Sequence, residues 1–326
     1  MRRVLTLLVI WIVGLAAAGA TGRTSSEPFG PTDAFYGVVS LPSGKWCVVG
    51  ASGAFVTSDD NGKSWTRTQL AKIYPFSWLD LFGIRFAPDH TTGWISGEQG
   101  LILRTTDAGK TWRKQQSGVT DNIYRVAPVD AQNAVATGAN GTILYTHDGG
   151  QHWQQSRQKN GFAFFDASAP DTKNAWVIGE FETILHSSDG GITWTAQRGG
   201  KRGNFRQPAY FTVRFRDSLN GWVTGQGATI LVTSDGGKTW RPVASPTRSS
   251  MFGTVFTEAR VWMAGDDGVL LNASLDGNGQ AISVQPTFAV LNDVAFAGQT
   301  GIAVGFNGTM LRTDDGGGHW RKANQD

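Results

Sequence analysis

Short apolar runs, broken by turns containing Gly, Asp or Asn, follow one another along most of this chain. Residues 83–113 give the template. Ile84-Arg85-Phe86 reads as a strand, Asp89–Gly93 as a turn and Trp94-Ile95-Ser96-Gly97 as a second strand. Glu98-Gln99-Gly100 turns again, Leu101–Thr105 forms a third strand, and a fourth follows around Trp112. No stretch beyond the N-terminal region carries a convincing helical pattern.

The same order recurs, and a motif marks it. The pattern S/T-x-D-x-G-x-(S/T/H)-W occurs six times, with Asp60 and Trp65, Asp107 and Trp112, Asp148 and Trp153, Asp189 and Trp194, Asp235 and Trp240, and Asp315 and Trp320. The steps between these tryptophans are 47, 41, 41, 46 and 80 residues, so the last step spans two repeats. The missing copy survives as Ser274-Leu275-Asp276-Gly277 without its Trp. Each copy is an Asp-box. Its carboxylate can bond nearby backbone N–H groups, its Gly accepts positive φ, and its hydroxyl residue can tie the turn together. The Trp then packs its large ring beneath the turn. Seven repeats of four strands predict an all-β protein, a seven-bladed β-propeller of four-stranded antiparallel blades.

The second strands supply a check. Trp46, Trp94, Trp176, Trp222 and Trp262 start them in five repeats, and Gly50, Gly97, Gly179, Gly225 and Gly265 close them. Of 13 tryptophans, this leaves Trp11 in the N-terminal region and Trp78 with no place in the repeat. The expected blades are about 34–72, 80–117, 122–157, 162–198, 208–245, 251–285 and 290–326, after a lead-in at 21–33. No strand exchange between the two ends is evident.

Residues 1–20 read as a secretory signal peptide, with Arg2 and Arg3, an apolar run from Val4 to Ala18, and Ala18-Gly19-Ala20 as the cleavage site. An uncleaved membrane anchor is the competing reading. Without the leader, 27 basic residues face 26 acidic ones, and bulk attraction to nucleic acid is not expected. The single cysteine, Cys47, excludes an intramolecular disulfide and reads as a buried structural thiol.

Antiparallel order puts the first-to-second and third-to-fourth turns of every blade on one face, together with the Asp-boxes. The second-to-third turns and the blade-to-blade connections lie on the other. Two connections are long: Thr66–Asp80, with Tyr74, Phe76 and Trp78, and Gln197–Pro208, with Arg202 and Arg206. One is aromatic and one basic, which suits partner binding on the face opposite the Asp-boxes. The bland alternative is that they cover blade junctions or are simply solvated. Arg85, Arg125 and Arg214 align on the innermost strands and predict a basic cluster in the central channel, suited to an acidic segment or carboxylate. The alternative is separate pairing with acids such as Asp166 or Asp217.

The composite W-x-x-G-x-x-G-x-I-L-x-T-x-D-G-G-x-T-W resembles the photosystem II assembly and stability factor family. Residues 222–240, WVTGQGATILVTSDGGKTW, match it most fully, with Ala228 in place of the second Gly. Residues 94–112 and 176–194 are close, the latter with Glu182 at that Gly. The resemblance spans residues 34–326. It implies an exported, non-enzymatic propeller in the periplasm, or in the thylakoid lumen of a photosynthetic source, that helps assemble a membrane protein complex. The expected partner is therefore a membrane protein, with no small-molecule substrate, cofactor or metal, and the chain is expected to act as a monomer. An accessory protein of an envelope transporter would look the same in sequence.

A sialidase-like glycoside hydrolase or glycan-binding propeller is the other alternative, since sialidases also carry Asp-boxes. Phe205-Arg206-Gln207-Pro208 is similar to their F-R-I-P motif but follows four Asp-boxes, whereas that family places it before the first. The five tyrosines (Tyr36, Tyr74, Tyr124, Tyr145 and Tyr210) show no Tyr–Glu pair in sequence.

Overall fold

A computed structural model describes residues 29–70, 78–156, 158, 161–200 and 207–323. Seven four-stranded antiparallel sheets follow one another along the chain, each with its strands in sequence order. The innermost strands are Phe35–Ser40, Leu81–Phe86, Ile123–Pro128, Phe164–Ser168, Tyr210–Phe215, Met251–Phe256 and Leu291–Ala297. They line the central channel of a seven-bladed propeller. Among the described residues no helix is long and apolar enough to cross a membrane.

Seven apolar clusters hold the ring, one at each seam between adjacent blades. The seam between blades 1 and 2, for example, joins Cys47, Val49 and Phe55 to Ile84, Ile95, Leu103 and Trp112. The Asp-box Trp therefore packs beneath its own turn and against the preceding blade. Trp240 follows the same rule, edge-on to Phe215 in a cluster with Trp176 of blade 4. Blade 6 lacks this ring. In its place Leu275 packs at the edge of the blade 5–6 cluster, and its carbonyl accepts a bond from the Trp222 indole at 3.2 Å.

The Asp-box turns are tightly bonded. In blade 1 the Ser58 hydroxyl donates to Asp60 Oδ1 (2.7 Å) and accepts the Gly62 amide (2.9 Å). Asp60 also accepts the Ser64 amide and hydroxyl. Six of these turns further donate an amide to the first-to-second turn of their own blade, as from Gly236 to Leu219 O at 2.9 Å. Both turns thus share one face of the ring.

On the opposite face, every second strand ends in a glycine: Gly50, Gly97, Gly138, Gly179, Gly225, Gly265 and Gly305. A Cβ at Gly179 would stand 2.1 Å from Ala163 O, and a carbonyl of the incoming connection crowds each of the other six in the same way. The requirement is close backbone approach, not turn conformation.

In blade 1 the second strand runs from Trp46 to Gly50, as the sequence predicts, but its register differs from that of the other blades. In the other Trp-bearing blades the Trp stands three residues before the closing Gly, but Trp46 stands four before Gly50. One residue reverses the side of a strand. Trp46 consequently faces blade 7, and Cys47 occupies the position that Trp94 holds in blade 2. Cys47 is fully buried, and burial pushes its thiol up to about 12.

The ring closes without strand exchange. Blade 7 takes all four strands from the C-terminal end, and blade 1 takes its four from the N-terminal end. The closing seam is an apolar cluster like the others, joined by Phe29 from the lead-in against Met310 and Ala323. Asn292 Nδ2 donates to Phe35 O and Gly308 N to Asp33 O, both at 2.7 Å.

Candidate functional site

Each innermost strand carries a β-bulge at its second residue, where the register to the neighbouring strand shifts. Such a bulge re-aims one side chain. In six blades that residue is aromatic: Tyr36, Phe82, Tyr124, Phe165, Phe211 and Phe252. Their rings contact in series around the channel mouth opposite the Asp-boxes, with centroids 5.2–6.1 Å apart, and Phe306 extends the series beyond Tyr36. In blade 7 the bulge residue is Asn292, spent on ring closure.

Below this collar lies a charged belt. Asp166 and Asp293 occupy equivalent positions in blades 4 and 7, and both staple their blade to the next. Asp166 accepts the Ala167 and Val213 amides at 2.9 and 3.1 Å. Asp293 accepts the Val294 and Val38 amides at 3.0 and 3.2 Å. Burial raises both carboxyls, opposed by the nearby guanidiniums of Arg85 and Arg125.

The three channel arginines meet in this belt, though not at one height. Arg85 and Arg214 hold the fifth position of their strands and Arg125 the third, because the bulge makes its apolar flanks look equivalent when they are not. Arg214 Nη1 bonds Asp166 Oδ2. Arg85 crosses from blade 2 to blade 4, where its Nη2 lies 3.9 Å from Asp166 Oδ1. Burial lowers its guanidinium from the ordinary value, and its Nε has no hydrogen-bond partner. Arg125 Nη1 donates to Phe82 O at 2.7 Å, directly under the collar. Asp166 therefore serves two arginines. Asp217 serves none, as it closes a surface turn with Leu219 and Asn220.

Trp78, the tryptophan outside the repeat, is 61% exposed on the blade 1–2 connection. Phe288, which sequence reasoning missed, is 88% exposed on the blade 6–7 connection of the same face. Tyr74, Phe76, Arg202 and Arg206 lie outside the described residues, as does the leader at 1–20. Among the described residues, no group of three or more His, Cys, Asp or Glu side chains is placed to hold a metal ion. The Tyr36 hydroxyl donates to Asp80 at 3.4 Å and is pushed far up by burial, while Tyr124 and Tyr210 rise to about 12.

Fold and channel together define a seven-bladed propeller with a closed ring, an aromatic mouth and a charged belt. Residues 77–162 and 106–202 match the family model described as Photosynthesis system II assembly factor YCF48. The matched stretch, residues 77–202, runs through the second, third and fourth blades of this propeller. Among solved structures it is similar to YCF48 from Cyanidioschyzon merolae, at 18% identity and a TM-score of 0.67, over 88% of this chain and 97% of that one. YCF48 bound to D1 peptide matches at 20% identity and 0.68, over 92% and 98%. A GH74 xyloglucanase from Xanthomonas campestris reaches the same score at 13% identity, over 91% of this chain but 55% of the enzyme. At these identities the structural likeness speaks for a shared fold. No curated protein matches the sequence.

Proposed function

We propose that this chain is a non-enzymatic, exported protein-binding propeller that docks on an exposed segment of a membrane protein or membrane protein complex and assists its assembly. The observation that carries this reading is end-to-end likeness to a YCF48 propeller that binds a D1 peptide, joined to the family match over the second to fourth blades. The docking face is the one opposite the Asp-boxes. Trp78 is exposed there, Arg125 is the channel arginine nearest its mouth, and Tyr74, Phe76, Arg202 and Arg206, outside the described residues, are assigned to the same docking surface on the sequence reading alone. Arg85 and Arg214 stand deeper and hold the positive field of the channel.

Two features favour binding over catalysis. The channel carboxylates are occupied by backbone amides and guanidiniums, leaving no free acid–base pair between them. The tyrosine hydroxyls near the channel are raised by burial, the reverse of an activated nucleophile. The leader places the protein in the periplasm, or in the thylakoid lumen of a photosynthetic cell, and the self-closed ring suits a monomer.

Crosslinking capture from intact cells with a tagged chain, followed by mass spectrometry of the membrane fraction, tests the reading. One stoichiometric partner under assembly supports it. A mature transporter as partner makes the protein a transporter accessory instead, and recovery of glycan-bearing material alone returns the glycoside hypothesis.

A further inference from the structure

The half of the channel nearer the Asp-boxes holds a cavity of about 310 Å³. Its walls come from the ends of the innermost strands of blades 1, 2, 6 and 7, with Phe86, Phe256 and Phe296 among them and Thr254 as a polar neighbour. Arg85, Arg214 and Asp293 form its charged side, and Ser40 adds a hydroxyl. A cleft of this size, with apolar walls and a few convergent polar groups, has room for a small molecule.

The electrostatics of the belt specify the ligand's charge. Three guanidiniums face two carboxylates, and each carboxylate already accepts two backbone amides. Arg214 is tied directly to Asp166, but Arg85 reaches the same carboxylate at 3.9 Å and keeps a quarter of its side chain (25%) open to the lumen. The belt thus has one positive charge in surplus, carried beside an apolar chamber. A single carboxylate would satisfy it at close range, because charge-assisted bonds to a guanidinium gain strength where water is scarce. A cationic ligand would add to a positive charge already in surplus, with Asp293 as the one acid on the cavity wall, and a polyanion would bring charges that nothing in the chamber neutralises.

We propose that this cavity binds a small monocarboxylate with a compact apolar body, its carboxylate on Arg85 and its body between Phe86, Phe256 and Phe296. The site lies at the end of the channel away from the docking face and stands independently of the docking reading.

Phenylacetate is the probe, with 2-phenylethylamine as its cationic counterpart of similar shape, each titrated by calorimetry into the purified protein. Phenylacetate should fill one saturable site and the amine none. Arg85→Gln should weaken phenylacetate binding by about tenfold or more, the scale of a lost charge-assisted bond. Phe256→Trp, which enlarges one wall of the cavity and leaves every guanidinium in the chain, should weaken binding as well and decides the matter should the Arg85 variant fail to fold. Absence of saturable phenylacetate binding, equal binding of the amine, or full binding by the Phe256→Trp protein would overturn the proposal. Membrane-partner capture by the wild-type chain is read separately, so failure of either claim leaves the other standing.

Discussion

Asp293 in the last blade accepts the backbone amide of Val38 in the first, at 3.2 Å across 255 residues of sequence. Asp166 makes the same bond to Val213 between blades 4 and 5. The buried acids are thus seam fasteners first, and the arginines above and below them keep two buried charges tolerable. Replacing Asp293 by Ala strands the Val38 and Val294 amides in the closing seam. That should cost about 2 kcal/mol or more in denaturant unfolding. A loss within 0.5 kcal/mol, about the scatter of ordinary surface substitutions, would deny Asp293 its closing role.

The glycines that end the second strands make a sharper case. Gly179→Ala places a methyl 2.1 Å from Ala163 O, and the carbonyl belongs to backbone that the seam holds fixed. Gly227→Ala meets nothing within 4 Å, although its φ of +62° is left-handed. The first substitution should lower stability by about 3 kcal/mol or more, at the upper end of single-site effects. The second should cost about 1–2 kcal/mol, the left-handed penalty alone. Equal losses would show that conformation, rather than backbone approach, selects the glycine.

Stability should fall steeply in acid. Hydrogen bonds to the turn hold the carboxyls of Asp107, Asp148 and Asp235 near 2, and they depress Asp60, Asp189 and Asp315 as well. In the unfolded chain these groups titrate near 3.9. A depressed native value contributes stability that is present above about pH 4 and is lost as the pH falls through about 2. Asp80, Glu98 and Asp266, raised by burial, act oppositely above pH 4 but not below, where both states hold the proton. Urea unfolding between pH 5 and 2 should show falling stability and uptake of several protons below pH 4. A flat profile there would mean the turn carboxylates are not committed as described.

Blade 6 should be the first to open. Its final turn has no Trp, and Arg241 from blade 5 covers it instead, donating to Asp276 O at 2.8 Å and Gly277 O at 3.1 Å. Amides of the outer strand Ile282–Val284 should exchange faster than those of Thr195–Arg198 in blade 4. Arg241→Ala should widen the difference. Equal exchange in both strands would show that the guanidinium replaces the Trp fully.

How much of this the sequence disclosed depends on which residues repeat. The Asp-box tryptophans recur with the full period of a blade, so number and order of blades follow from spacing alone. Trp46 starts its strand as the spacing indicates, and counting back from Gly50 reveals the extra residue that turns it toward blade 7. The arginines misled: Tyr124-Arg125-Val126 and Ile84-Arg85-Phe86 share apolar flanks, but a bulge separates their heights. The aromatic collar was open to reading, since an aromatic follows the first residue of six innermost strands. Asp293 gave no such signal. Its role comes from a partner at the other end of the chain, and ring closure is a tertiary fact that no local pattern records.

Docking of a membrane partner on the face opposite the Asp-boxes can be read position by position. A photocrosslinking residue placed at Trp78 on that face, or at Lys110 on an Asp-box turn, tests it most directly in intact cells. A single membrane-protein adduct is expected from position 78 and none from position 110. An adduct from position 110 alone, or from neither position in cells that require the protein, would contradict docking on that face.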